Sequence, residues 1–288
     1  MFQRVATYAL KMAERTQLVY QRDGERLRHT AKILSVVPVS ALTAPDQALV
    51  KDASDVEHAV ITDSTIFHVQ GGGQLSDTGT MISSNEAATA KADSTFEVKS
   101  VRQPAQGNQI LHFGRFLPVD GATARFDAGK ELQQHVDAEK RNLHSRLHTA
   151  GHVMSLAIHA LCREGVLPPL TEVKASHYPD SAAVVFNGSI DGKHKDAIQA
   201  KTDEFVRSAR PVKIHWWTME ELLAKCHGTA EGFTLPEGET MGRVVEMEGL
   251  GSYPCGGTHV QDCSQVGKIE VKKIARSKGT SKVSYRVL

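Results

Sequence analysis

The sequence predicts an α+β protein in two parts: a small N-terminal β-barrel-like domain over residues 1–125 and an α+β domain over residues 126–288. Three observations carry this reading. The chain has 288 residues, enough to bury two hydrophobic cores. Between residues 17 and 118, short β-branched and aromatic runs alternate with polar loops, as in a small barrel or sandwich. From about Lys130 the apolar residues take a helical spacing instead.

In chain order, TQLVYQ at 16–21, AKILSVVPVS at 31–40 and HAVITDSTIFHV at 58–69 read as strands, because Val, Ile, Thr and Phe suit a pleated, half-buried surface. The polar segments 44–55 and 83–94 read as loops, and GGGQLSDTG at 71–79 punctuates the region. The spacing then predicts one helix over 130–164, with Leu143, Leu147, Met154, Leu156, Ile158 and Leu161 as its apolar face. Gly165 ends it, with Pro168 and Pro169 beyond. A strand at 182–188, a helix at 196–210 stopped by Pro211, a strand at 212–218 and a short helix at 219–226 follow. Residues 267–288 close the chain as two strands around the turn SKGTSK. Trp216 and Trp217 are expected in the core.

Composition excludes several classes. Hydrophobic residues make up 40% and charged residues 23%, and the net charge is +1, so any nucleic-acid surface has to be a local patch. No apolar run reaches the ~18 residues of a membrane span. Four cysteines are too few for a disulfide scaffold, and beside 14 histidines they point to a reducing compartment and a metal site. A cytoplasmic monomer is expected. A mitochondrial presequence is the alternative, since Arg4 and Lys11 precede the first acid, Glu14.

Two residue pairs carry candidate chemistry. His148 and His152, in RLHTAGHV, are four apart and share one face of a helix. Cys255 and His259, in YPCGGTHV, repeat the spacing where Pro254, Gly256 and Gly257 disfavour a helix. Three imidazoles and a thiolate suit zinc. Spacing alone does not separate these from competitors: His144 and His159 extend the same helical column, and Cys263 and the pair Cys226–His227 lie nearby in sequence. A zinc peptidase of the HExxH type is disfavoured, because Thr149 stands where that motif has glutamate.

LHTAGH at 147–152 followed by PCGGTH at 254–259 resembles the HxxxH and CxxxH motifs of the alanyl-tRNA synthetase editing domain and of its freestanding relatives, the AlaX family. TIFHVQGGGQLSDTG at 65–79, VKASHYPDSAAVVF at 173–186 and the closing 22 residues extend the resemblance over about residues 17–288. It implies a zinc-containing editing domain with His148, His152, Cys255 and His259 as ligands. Gly71, Gly72, Gly73 and Thr171 are then expected to bind substrate, and Gln74, Lys174 and His177 to stand in the catalytic site, with the GGGQ loop facing it from the other domain. Val69 and Leu75 occupy two positions where the family pattern has proline. The implied substrate is a mischarged tRNA(Ala), carrying serine or glycine, and the implied reaction is ester hydrolysis, not ligation. No GxxxxGK[ST] is present. Threonyl-tRNA synthetases share a related zinc domain, so the ligands alone leave the amino acid open.

Residues 268–288 carry seven basic side chains against Glu270 alone. Lys272, Lys273, Arg276 and Lys278 are accordingly expected to contact tRNA phosphates. The alternative from another class is a zinc-stapled RNA-binding module without hydrolase activity, since four protein ligands leave a zinc no open position. Another metal-dependent hydrolase, acting on small esters, is a third reading.

Overall fold

The computed structural model describes residues 15–50, 55–83, 94–118, 125–227, 233–235 and 238–288. The presequence reading of the N-terminus, and most of the loop expected at 83–94, lie outside them. The chain forms two compact units. The first holds the described residues of Met1–Tyr20, Glu25–Val69 and Ser76–Asp137; the second holds Gln21–Gly24, Gln70–Leu75 and the described residues of Ala138–Leu288.

The first unit contains β1 (Gln17–Leu18), β2 (Arg28–Pro38), the single-turn helix α1 (Ala44–Gln47), β3 (His58–Thr62), β4 (Ser64–Thr65), β5 (Gly79–Ser83), β6 (Ser94–Arg102), β7 (Leu111–Leu117) and β8 (Glu131–Val136). Six strands close a barrel in the order β2-β3-β7-β6-β5-β8. Closure leaves no free sheet edge, and Ile33, Val60, Met81, Phe96, Val98 and Leu132 fill the interior. Phe116 meets Phe96 and Phe126 edge to face, each at 5.0 Å, an arrangement that favours the ring quadrupoles.

Two expectations fail in this unit. Residues 131–136 are a strand, not the first turns of the helix. Leu132, Gln134 and Val136 are buried in alternation, but a glutamine in the middle position hides the period of two. Gln134 is buried at no polar cost: its Oε1 accepts from Ile66 N at 2.9 Å and its Nε2 donates to Ser64 O at 2.9 Å. Of TQLVYQ, only Gln17 and Leu18 pair in a strand, with β4. Val19–Gln21 turns as a 3-10 helix that buries Tyr20 against His68.

The second unit contains α2 (Ala138–Arg163), β9 (Thr171–Ser176), β10 (Ala183–Asn187), α3 (Lys195–Arg207), β11 (Val212–Thr218), α4 (Met219–Lys225), β12 (Met241–Met247), β13 (Gly251–Pro254), β14 (Ile269–Ser277) and β15 (Thr280–Val287). One sheet has the order β14-β15-β10-β9 and a second the order β11-β12-β13. The 26-residue α2 is the axis of this core, and its Leu147, Met154, Leu156, Ile158 and Leu161 pack with Val184, Phe186, Val271 and Val283. Gly165 closes the helix at φ 75°, where a side chain is strained. Thr218 and Glu221 form a capping box at the start of α4.

β12 and β13 were not anticipated. β12 is the middle strand of three, and its adjacent Val244 and Val245 are both fully buried, so it lacks the alternation that marks a half-buried strand. Trp216 and Trp217 are half-buried instead of lying in the core, because β11 is an edge strand. The Arg22 guanidinium lies 5.0 Å from the Trp216 ring and the Lys225 ammonium 5.0 Å from that of Trp217, as cation–π contacts. No helix of the described residues is long and apolar enough to cross a membrane.

Candidate metal centre

α2 brings His148 and His152 to one face, and the turn after β13 brings Cys255 and His259 against them. One ligand atom from each of the four lies within 4.8 Å of all the others. No other group of three or more His, Cys, Asp or Glu side chains is poised for an ion among the described residues. The competing residues His144, His159, Cys226, His227 and Cys263 stand outside it.

Hydrogen bonds decide which ring nitrogens face the centre. Thr258 N, a backbone donor, gives its proton to Gln74 Oε1 at 3.1 Å. The same oxygen stands 2.6 Å from His148 Nδ1 and cannot donate, so Nδ1 carries the proton. That turns His148 Nε2 toward Cys255 Sγ, at 3.4 Å. Thr149 Oγ1 donates to Ser145 O at 2.8 Å and so accepts from His259 Nδ1 at 3.1 Å. That turns His259 Nε2 toward Cys255 Sγ, at 3.3 Å. Both imidazoles therefore carry a proton on Nδ1 and are aimed by an outer partner, the arrangement metal-binding histidines use.

The remaining donors fit an ion as well. His152 Nδ1 is buried without a hydrogen-bond partner, and burial, then His177 and Arg243, hold its pKa down to about 3. It is neutral at ordinary pH, the state in which an imidazole can bind a metal. Burial pushes the Cys255 thiol up, while Arg243 and the Gly257 N–H pull it down. A thiolate this enclosed needs a cation beside it. Arg243 also donates to Cys255 O and to Gln21 O, bracing the turn.

Glycines make the close packing feasible. Gly72 and Gly73 have φ of 55° and 78°, so the GGGQ turn needs residues without Cβ. It closes through Gln74 N to Gly71 O at 2.9 Å. A Cβ on Gly257 would overlap the His148 ring and stand 2.6 Å from Gln74 Oε1. Gly257→Ala is expected to displace His148, lower metal content and destabilise the fold by about 1–3 kcal/mol, the usual scale of overpacking. Metal analysis with thermal unfolding checks it, and full occupancy at unchanged stability would refute it.

The other sequence-predicted residues divide into two groups. Gln74 and His177 reach the cluster. His177 stacks on His148 at 4.3 Å, its N–H donates to Gly73 O at 2.8 Å, and its Nδ1 donates to Tyr285 Oη at 2.6 Å; Tyr285 in turn donates to Leu147 O at 2.9 Å. The ring and Tyr285 Oη fill the space that the small Gly151 leaves beside His152. Gly71 and Gly72 are exposed on the turn. Thr171 and Lys174 are exposed on β9, and no hydrogen bond joins them to the cluster. Between them, Glu172 turns toward Ser155 of α2, and burial pushes its carboxyl up. Sequence reasoning missed Thr149, Thr258, Arg243 and Tyr285. The two threonines lie inside the quoted motifs, but nothing in their spacing marks them as partners.

The family model described as the threonyl and alanyl tRNA synthetase second additional domain matches residues 243–287. The alanyl-tRNA editing protein AlaX-M of Methanosarcina acetivorans is 28% identical over 240 residues, which is 82% of this chain and 90% of the relative. AlaX-M of Methanosarcina barkeri is 27% identical, with the same two shares. The alanine–tRNA ligase of Thermotoga maritima is 28% identical over 232 residues, 80% of this chain but 24% of the ligase. Together with the motifs, these matches make the chain similar, over most of its length, to the alanyl-tRNA editing proteins named AlaX-M.

Proposed function

We propose that the chain is a zinc-dependent aminoacyl-tRNA deacylase that hydrolyses mischarged tRNA(Ala) in trans. The observation that carries this is the four-donor cluster with two of its imidazoles aimed inward, in a chain that aligns with nine tenths of proteins named for alanyl-tRNA editing. The ligases are matched over a quarter of their length, so ligation is not carried over.

His148, His152, Cys255 and His259 would hold the ion. Tetrahedral zinc, with Zn–S of about 2.3 Å and Zn–N of about 2.0–2.1 Å, sets sulfur–nitrogen edges of about 3.5 Å. The two edges measured at Cys255, 3.4 and 3.3 Å, are close to that. When bound, zinc supplies Lewis acidity toward an ester carbonyl and lowers the pKa of water. Gln74 orients His148. His177, held by Tyr285, keeps its Nε2 lone pair as an acceptor for a substrate or water proton. The turn Gly71–Gly73 supplies backbone without side chains for the aminoacyl group to approach. The basic closing hairpin contacts tRNA phosphates. A cytoplasmic, monomeric enzyme fits the reading.

Serine is the proposed amino acid, with glycine second. A synthetase pocket shaped for alanine rejects an added hydroxyl weakly, whereas a site that hydrogen-bonds that hydroxyl refuses alanine by roughly 10⁴-fold or more. Of the sequence candidates for that polar group, Gln74 reaches the cluster, whereas Lys174 and Thr171 are exposed on β9. Seryl-tRNA(Ala) is expected to be deacylated, a chelator to stop it, and alanyl-tRNA(Ala) to survive; equal rates on both would remove the selectivity claim. The closed set of four protein donors favours a second reading, a zinc-stapled RNA-binding module. Turnover of seryl-tRNA(Ala) by the purified protein excludes that module, and binding without turnover establishes it.

A further inference from the structure

We infer that the outer face of the sheet β14-β15-β10-β9 is a binding surface for the RNA sugar–phosphate backbone, with Lys174, Lys272, Lys273 and Lys282 as its contacts. The inference rests on the tRNA reading above and assigns Lys174 to backbone contact instead of chemistry.

Strand register places the lysines. Directly opposed residues of an antiparallel sheet share a face. Ala275 opposes Lys282, Lys282 opposes Val185, and Val185 opposes Lys174, so one row crosses all four strands. Lys282 and Lys174 flank the half-buried Val185, about 10 Å apart at the usual strand spacing. The next residue outward on β14 is Lys273, opposite Ser284, and a bulge between Val271 and Lys273 inserts Lys272 beside it. A bulge sets two residues against one, so both lysines are exposed where strict alternation would bury one. The inner face carries Val184, Phe186, Val271, Val283 and Tyr285 into the core with α2.

Pairing separates these lysines from the other cations nearby. Arg286 is held by Glu270, and Arg276 lies 3.9 Å from Asp191. Lys174, Lys272, Lys273 and Lys282 have no carboxylate partner among the described residues. Glu172, the acid of β9, turns inward to Ser155. The exposed positive charge is therefore uncompensated on this face. Edge protection, the ordinary reason for lysines on strands, accounts for β14 and β9, which are edges, but not for Lys282 on the interior strand β15. Tyr285, the hairpin's sole aromatic, is buried. The face thus offers charge without a stacking platform, which suits backbone contact independent of base sequence.

The test is binding of tRNA(Ala) transcript to the full chain as a function of KCl. Each lost phosphate contact lowers the log–log salt slope by about 0.7–0.9. Lys174→Ala/Lys273→Ala/Lys282→Ala is expected to lower it by about two units or more. Lys282→Ala alone should lower it by about one contact, and Arg276→Ala/Arg286→Ala should leave it unchanged. Metal content should be wild-type in all three variants, because none of these residues touches the cluster. An unchanged slope in the triple variant, or a slope carried by the two arginines, overturns the inference while leaving the deacylase reading in place. Failure of the wild-type chain to bind tRNA at all overturns both.

Discussion

Cys255→Ala is expected to be purified almost free of metal, beside a wild-type protein carrying about one zinc per chain. The thiolate supplies the only negative charge in the donor set, and its sulfur stands against both aimed imidazoles, His148 Nε2 at 3.4 Å and His259 Nε2 at 3.3 Å. Three imidazoles, none able to supply negative charge, remain after the substitution, and their mutual positions depend in part on the turn that Cys255 anchors. Deacylation should fall to background with the metal. His152→Ala should behave alike, because its buried Nδ1 has no other partner. His144→Ala should keep both metal and activity: it lies on the same helix, outside the group of converging donors. A ligand that binds only the folded chain stabilises it by about 2.7 kcal/mol at a hundred times its dissociation constant. A chelator should therefore lower the melting temperature of the wild type and leave Cys255→Ala unmoved. Full zinc by elemental analysis in the Cys255 variant would sink the assignment.

Gln74→Leu is expected to weaken metal binding by about 10–100-fold, the usual effect of losing an outer partner of a ligating histidine. Gln74 is fully buried. Its Oε1 serves both His148 Nδ1 and Thr258 N, and its Nε2 donates to Thr258 Oγ1 at 2.8 Å. Leucine keeps much of the volume and removes every one of these bonds. Each buried donor left unpaired costs about 1–3 kcal/mol, so a lower melting temperature should accompany the loss. Competition with a metal indicator measures the first effect and thermal unfolding the second. Had Gln74 acted on substrate alone, metal affinity would stay at the wild-type value while deacylation fell, and that outcome would overturn its place as the orienting partner of His148.

Much of the fold followed from local pattern. The barrel region, the long helix, the helix before Pro211, the strand 212–218 and the closing hairpin all appear where β-branched runs, helical period or turn residues placed them. The misreadings share a cause. Residues 131–136 were read with the helix because the buried Gln134 hides the period of two, yet β8 is held by β2 and β5, strands distant in sequence. Trp216 and Trp217 looked like core because tryptophan usually is, yet their exposure follows from β11 standing at a sheet edge.

The metal pairs show the same division. By itself the sequence determined that His148 and His152 share a helix face, that Cys255 and His259 sit in a turn, and that the four suit one ion. These are consequences of helical period and of donor chemistry, and both are local. Only the tertiary structure decided which nitrogen of His148 and of His259 faces the centre, because the deciding partners come from far along the chain: Gln74 lies 74 residues before His148 and Thr149 110 residues before His259. It alone filled the space beside Gly151 with His177 and Tyr285, and it alone put Lys174 and Lys282 on either side of Val185. A proton's place on an imidazole and a side chain's face on a sheet are set by what is packed against them, and those neighbours are brought together by folding rather than by adjacency in the chain.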